Sequence, residues 1–292
     1  MSYRGRFAPS PTGPLHFGSL VAAIGSYLQA RSANGQWLIR IEDIDTPRVV
    51  PGAADSILHS LEYFGFEWDE TIVYQSARQD AYVEALQQLQ SLKLCYPCSC
   101  SRSELQTALG SPLDGDELRY PGWCRNQPQR VRDTYAWRFK VPESSIESYD
   151  ALHGKQSLNL QDHIGDFIIK RRDGLFAYQL AVVVDDAEQG ITEVVRGADL
   201  LLNTPRQIAL QRALQLPTPN YVHLPLALDA NGKKLSKSDA APELSGHNPN
   251  HLLCQALRFL GQNPPIDLQA VSLNELWRWA KANWQLNAVI LS

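Results

Sequence analysis

A chain of 292 residues, 44% hydrophobic and 20% charged, is long enough for one large or two modest domains and too apolar to be disordered. Its formal net charge of −4 excludes a globally basic nucleic-acid binder but leaves room for a local basic face. The start has no apolar signal core and no stretch reaches membrane-spanning length. The five cysteines, three of them crowded at 95, 98 and 100, do not resemble a secreted disulfide framework, so a cytoplasmic protein without a membrane partner is expected.

The chain opens on a short apolar strand that ends in Arg6-Phe7-Ala8-Pro9-Ser10-Pro11-Thr12-Gly13-Pro14, a turn stiffened by proline and glycine. A helix follows at once. Leu20, Ile24, Tyr27 and Leu28 recur at helical spacing, and Asn34-Gly35 stops it. The helix start aims free N–H groups and a positive dipole end at whatever lies above the strand tip, which suits a phosphate, with His16 beside it. Gly13-x4-Gly18-Ser19 nearly matches a P-loop but lacks its lysine, and no Gly-x-Gly-x-x-Gly follows a predicted strand. Taken alone, the turn is equally a rigid surface loop.

Residues 36–42 read as a mostly apolar strand, buried on both faces, that ends at Glu42-Asp43-Ile44-Asp45. Pro47 then opens a helical stretch through Leu61 and Phe64. Strand, helix, strand and helix in succession predict an α/β fold with a parallel sheet and right-handed crossovers. Ligands bind such sheets at the carboxyl ends of the strands, the edge that carries Arg6–Ser10 and Glu42–Asp45. Glu42 directly follows the apolar run and is expected to face the site, whereas Asp43 and Asp45 read as a solvated loop or helix cap.

Residues 77–92 are helical, with Ala81, Ala85, Leu86 and Leu89 on the apolar side. From Cys95 to Arg132, cysteine, proline, glycine and charge dominate, as in an insertion. Trp137–Val141 restores alternation. Asp166–Asp185 reads as a hairpin turning at Asp173-Gly174, its second arm carrying Tyr178 into the core. Ile191–Gly197 is a strand that brings Arg196 to the working edge. A helix over 204–216 and a strand over 222–228 lead to Asp229-Ala230-Asn231-Gly232-Lys233-Lys234-Leu235-Ser236-Lys237-Ser238. Helices over 250–261 and 273–283 follow, and no internal repeat is present.

The lysine-rich stretch is a solvated turn in its bland reading. A lysine loop distant in sequence is also well suited to neutralising the pyrophosphate that leaves during nucleotidyl transfer. Paired with a histidine-containing turn at the first helix, it is far more specific than either half. Cys98, Cys100 and Cys124 can fill three corners of a tetrahedral zinc site, with no histidine between His59 and His153 for the fourth. Cys95 has suitable spacing for that place, and buried free thiols are the alternative. Cys254, on an apolar helix face, reads as packing. Arg125, Arg130 and Arg132, or Lys170, Arg171 and Arg172, could track RNA phosphates or be solvated faces.

His16-Phe17-Gly18-Ser19 and Lys234-Leu235-Ser236-Lys237-Ser238 resemble the two signature motifs of class I aminoacyl-tRNA synthetases. Arg6–Gly13 and Arg40-Ile41-Glu42-Asp43-Ile44-Asp45 narrow the resemblance to the glutamyl and glutaminyl branch. Ser19 stands where the motif often has a second histidine, as in other glutamate-specific relatives. The resemblance runs from Tyr3 to about Ala240. It implies a Rossmann-like class I catalytic domain that joins an amino acid to ATP and passes the acyl group to RNA. The chain ends at residue 292, 54 residues beyond Ser238, too few for the anticodon-binding region of a full glutamyl-tRNA synthetase. In this it is similar to the short glutamyl-queuosine tRNA(Asp) synthetase family. That family activates glutamate without tRNA and attaches it to the queuosine base in the anticodon loop of tRNA(Asp).

The resemblance implies roles residue by residue. Arg6, Ser10, Glu42, Tyr178 and Arg196 match positions used for L-glutamate. His16, Gly18, Ser19 and Lys237 fall on the ATP site, with Mg2+ on the triphosphate, and His16, Lys234 and Lys237 act in catalysis. The family pattern of Cys-x-Cys followed by Tyr-x3-Cys fits Cys98, Cys100, Tyr120 and Cys124 as ligands of a structural Zn2+. The expected organisation is residues 1–94 for the first half of the catalytic domain and 95–135 for the zinc-binding insertion. Residues 136–240 hold the rest of the acceptor-type insertion and the second half, and 241–292 form a short helical region without an anticodon-binding domain. A monomer is expected.

Overall fold

The computed structural model describes residues 2–110, 118–227 and 248–291. In chain order, the first part contains β1 (Arg4–Phe7), α1 (Phe17–Ser32), β2 (Gln36–Ile41), α2 (Ala53–Tyr63), β3 (Val73–Tyr74) and α3 (Gln79–Ser91). Then come β4 (Cys95–Cys98), α4 (Arg102–Leu109), α5 (Trp123–Asn126), β5 (Ala136–Phe139), β6 (Ile146–Asp150), β7 (Gly154–Leu158), α6 (Leu160–His163) and β8 (Phe167–Lys170). The last part is α7 (Tyr178–Glu188), β9 (Glu193–Gly197), α8 (Thr204–Leu214), β10 (Asn220–Leu224), α9 (Pro249–Phe259) and α10 (Leu273–Asn283).

β1 and β3 both pair with β2 in parallel, while β10 pairs in parallel with β9 and β6. Thr192, just before β9, donates its N–H to the carbonyl of Arg4 at 2.9 Å and joins the two parallel sets edge to edge. The ends of β1, β2 and β9 therefore share one rim, where Arg6, Glu42 and Arg196 stand. β4, β5 and β8 form a separate antiparallel sheet that carries the cysteine-rich insertion.

Strand alternation sorts the core. Trp37, Ile39 and Ile41 of β2 pack with α1, α2, α9 and α10, while Leu38 joins a second cluster with α3, α7 and α8. α1 is buried along Leu20, Ile24, Tyr27 and Leu28, the positions its periodicity selects. Its Gly25 lets the helix close on β10, because a Cβ there would lie 2.4 Å from a Leu224 methyl. α9 and α10 contribute Leu253, Leu257, Leu276 and Trp277 to the same cluster as α1. Among the described residues, no helix is long and apolar enough to cross a membrane.

Two expectations change, and one element was not foreseen. The turn at Asp173-Gly174 is present, with a bridge between Lys170 and Phe176, but the second arm is no strand. From Tyr178 to Glu188 it is helix α7, almost wholly buried. An apolar run buried on all sides carries no alternation to separate helix from strand, and its consecutive valines favoured the wrong choice. Pro47 opens a single 3-10 turn, and the helix begins at Ala53. The polar hairpin of β6 and β7 had no apolar pattern to announce it.

Candidate active site and metal cluster

Above the rim lies a cavity of about 630 Å³, lined by Arg6, Ser10, Glu42, Tyr178 and Arg196. His16, Gly18 and Ser19, at the start of α1, line it as well. Eight residues spread over some 190 positions of the chain thus meet in one space. Lys234 and Lys237 lie outside the described residues.

Arg6, on β1, is buried and gripped by Asp186 of α7, with Nε donating to Oδ1 at 3.0 Å and Nη2 to Oδ2 at 3.3 Å. Arg40, fully buried on β2, reaches Asp186 at 2.8 Å and Glu42 at 3.3 Å. Next to it, Asp185 accepts from Gln75 and Tyr82, each at 2.8 Å, and from Arg78 at 2.6 Å. Burial pushes the Asp186 carboxyl up, but Arg6 and Arg40 outweigh it and hold it below the ordinary range. Burial dominates at Glu42 and raises it, against the pull of Arg40 and Arg6. Tyr178 is likewise raised, by burial first and then by Glu42.

His16 caps α1, its Nδ1 accepting from the Ser19 N–H at 3.3 Å while Nε2 lies 3.0 Å from the Ser19 hydroxyl. The first-turn N–H groups of an α-helix have no intrahelical acceptor, so those of Phe17 and Gly18 suit an anion at this end of the cavity. Arg196, buried on β9, donates from Nε to His223 at 3.0 Å and from Nη2 to Thr204 at 2.8 Å. Its Nη1 is buried without a hydrogen-bond partner among the described residues. A buried guanidinium nitrogen left unpaired costs free energy that an incoming acceptor restores. Asp43, by contrast, caps Ser76 at 2.8 Å, as a solvated cap should, while Asp45 lines the cavity rim and holds Arg171 at 2.9 Å.

In the insertion, the sulfur atoms of Cys98, Cys100 and Cys124 lie within 4.8 Å of one another. The Tyr120 hydroxyl oxygen is 3.3 Å from the Cys98 sulfur and 3.7 Å from that of Cys100, and it accepts from the Cys124 N–H at 2.9 Å. Tetrahedral zinc with bonds of about 2.3 Å to sulfur places neighbouring ligand atoms about 3.6–3.8 Å apart. The Cys100–Cys124 sulfur separation of 3.5 Å and the two distances from the Tyr120 oxygen lie close to that spacing. Cys95 does not join them: it is buried in the second core cluster, where burial raises its thiol to about 11. Arg138 supports the group by donating to the Cys98 sulfur at 3.2 Å with its guanidinium 3.8 Å from the Tyr120 ring centre. Tyr120 is seated by a parallel bridge to Gly165, whose φ of +67° and lack of a Cβ allow that approach.

The family model for tRNA synthetases class I (E and Q), catalytic domain, matches residues 2–287. A glutamyl-Q tRNA(Asp) synthetase of Dechloromonas aromatica is 54% identical over 288 residues, 98% of this chain and 95% of that one. The chain belongs to the glutamyl-Q branch of the class I tRNA synthetases. Its counterpart in Neisseria meningitidis, with the same name, is 51% identical over 290 residues, covering 98% and 97% of the two chains. A solved glutamate tRNA ligase from Elizabethkingia meningosepticum, in complex with its amino acid, superposes with a TM-score of 0.82 at 29% identity. All of this chain is covered, but only 66% of that ligase.

Sequence reasoning missed the partners behind the site. Asp185 and Asp186 close an apolar run, where paired carboxylates need buried cations, and that was a usable signal. Nothing local pointed to Asp150 and His223. They meet Arg196 only through the pairing of β6, β10 and β9.

Proposed function

We infer that the chain activates L-glutamate with ATP to glutamyl-adenylate without tRNA, then transfers the glutamyl group to the queuosine base in the anticodon loop of tRNA(Asp). One observation carries this reading. Two buried guanidinium groups, Arg6 and Arg196, and one buried carboxylate, Glu42, line a single cavity with the start of α1. Glutamate offers the inverse set, two carboxylates and one ammonium. The guanidinium nitrogens that Asp186 and His223 do not hold can donate to the two carboxylates, Glu42 accepts from the ammonium, and Ser10 and Tyr178 add hydroxyls. The name shared by relatives above 50% identity supplies the acceptor.

In the first step, a glutamate α-carboxylate oxygen attacks the α-phosphorus of ATP. The bond to the β-phosphate oxygen breaks, and pyrophosphate leaves with the electron pair. His16, Gly18 and Ser19 receive the phosphates of ATP, for which bound Mg2+ would supply charge screening, and Lys234 and Lys237 take up the charge that develops on pyrophosphate. Catalysis here is positioning and electrostatics, with no protein nucleophile. In the second step, a nucleophile of the queuosine base attacks the acyl carbon and AMP leaves.

Cys98, Cys100, Cys124 and Tyr120 would hold Zn2+ as a structural staple for an insertion whose own apolar cluster is small. Residues 1–94 and 136–240 make up the catalytic body, 95–135 the zinc insertion and 241–292 a helical end piece. The protein works as a cytoplasmic monomer. Glutamate-dependent ATP–pyrophosphate exchange without tRNA tests the first step, and its absence in zinc-loaded protein refutes it. Labelled glutamate offered to tRNA(Asp) with and without queuosine tests the second. Label at the 3′ end, or equal labelling of both RNAs, refutes the acceptor.

A further inference from the structure

His223 lies on β10, beneath the cavity floor, with its imidazole fully buried. Its Nδ1 sits 2.7 Å from Oδ2 of Asp150 on β6. Its Nε2 receives the Arg196 Nε–H at 3.0 Å and lies 3.3 Å from the Thr204 hydroxyl. Guanidinium nitrogens only donate, so Nε2 must carry the lone pair and Nδ1 the proton. The other oxygen of Asp150, Oδ1, is held by the N–H groups of Leu152 and His153, each at 2.9 Å. The β6–β7 turn thus orients the carboxylate, the carboxylate selects the imidazole tautomer, and the imidazole aims Arg196.

We propose that Asp150 and His223 are a positioning relay that sets Arg196 for a substrate carboxylate. This rests on the reading of Arg196 as a glutamate contact. With Nε and Nη2 held from behind by His223, Thr204 and the Leu200 carbonyl, Nη1 is the nitrogen left for the ligand. The other charged or titratable groups around the imidazole are few. His153 donates from Nε2 to the His223 carbonyl at 3.0 Å, and the Tyr221 ring stacks 6.1 Å away. Burial holds the imidazole below its usual pKa against the pull of Asp150, which keeps it neutral and able to accept. A packing role alone would need none of this polarity.

The discriminating variant is Asp150→Asn. Two backbone N–H groups keep the amide oxygen at the Oδ1 position, so its NH2 must face Nδ1. The imidazole then shifts its proton to Nε2, where it opposes the Arg196 donor. The expected result is a glutamate KM in pyrophosphate exchange raised about 10- to 100-fold, the worth of one charged hydrogen bond, with the ATP KM unchanged. In His223→Gln the amide oxygen can still accept from Arg196 without help from residue 150, so adding Asp150→Asn to it changes nothing further. Equal effects of Asp150→Asn in both backgrounds, or an effect on thermal stability alone, would overturn the relay. An unchanged glutamate KM in Arg196→Lys would instead defeat the glutamate reading. Imidazole 15N NMR of the full chain decides the relay in either case. Nδ1–H in the wild type and Nε2–H in Asp150→Asn support it, and Nε2–H in the wild type sinks it.

Discussion

Asp186 grips the buried guanidinium of Arg6 through both oxygens, at 3.0 and 3.3 Å, and takes Arg40 at 2.8 Å as well. One carboxylate on a helix thereby fixes cations from two strands under the cavity. Removing it in Asp186→Ala strands two buried charges, and the expected loss is about 3–5 kcal/mol of stability, read by urea denaturation. Asp186→Asn keeps the packing and should lose less stability while still raising the glutamate KM, because Arg6 loses its fixed orientation. A loss within about 0.5 kcal/mol for the alanine variant would show that the network carries no weight.

The insertion should hold one zinc per chain. Metal analysis is expected to show zinc retained in Cys95→Ser, whose sulfur belongs to a different core cluster, and lost or weakened in Cys98→Ser and Tyr120→Phe. Zinc retained by Tyr120→Phe but lost by Cys95→Ser would reverse the choice of fourth ligand. A strong chelator should lower the melting temperature, since binding free energy at such a site is folding free energy.

Gly165 offers a test that changes no ligand. A Cβ there would fall 2.0 Å from the Tyr120 carbonyl oxygen, and its φ of +67° is unfavourable for other residues. Gly165→Ala must displace Tyr120, so both zinc content and thermal stability should fall together. Full zinc occupancy in this variant would mean that Tyr120 does not depend on the bridge.

The C-terminal helices should be inseparable from the catalytic body. Trp277 packs edge-on against Tyr27 at 5.0 Å and donates from its indole to the Phe64 carbonyl at 2.8 Å. Trp277→Ala is expected to cost about 3–5 kcal/mol, as large core truncations do. Two separate unfolding transitions in the wild type would contradict that single core.

Stability should fall as pH drops below about 6.5, and His223 is the reason. Its folded pKa lies below the unfolded value of 6.5, so in acid the unfolded chain takes up a proton that the folded chain refuses. Asp150 and Asp186, depressed from 3.8, contribute stability above that value and lose it as pH falls further. Glu42, raised from 4.5, works in the opposite sense between its folded pKa and 4.5. Denaturant titrations from pH 7 downward should show the first slope disappear in His223→Gln. An unchanged slope would place the acid sensitivity elsewhere.

The start of α1 beside the tip of β1 was legible because its signals are local. A helix start beside a strand tip reads as a phosphate seat from proline, glycine and apolar spacing alone. The cysteine spacing likewise selected Cys98, Cys100 and Cys124, which the fold brings within 4.8 Å. Strand or helix could not be decided over Tyr178–Glu188, because burial on all sides erases the period that separates them.

Arg6, Glu42, Tyr178 and Arg196 could be named from the chain, together with a parallel sheet whose strand ends carry them. Only the tertiary structure decided what stands behind each one. Asp186 comes to Arg6 from 180 positions away, and His223 and Asp150 come to Arg196 from separate strands. Residue type and spacing report what a side chain can do. Which nitrogen stays free to meet a substrate is set by the neighbours that bind the others, and those neighbours are chosen by strand order.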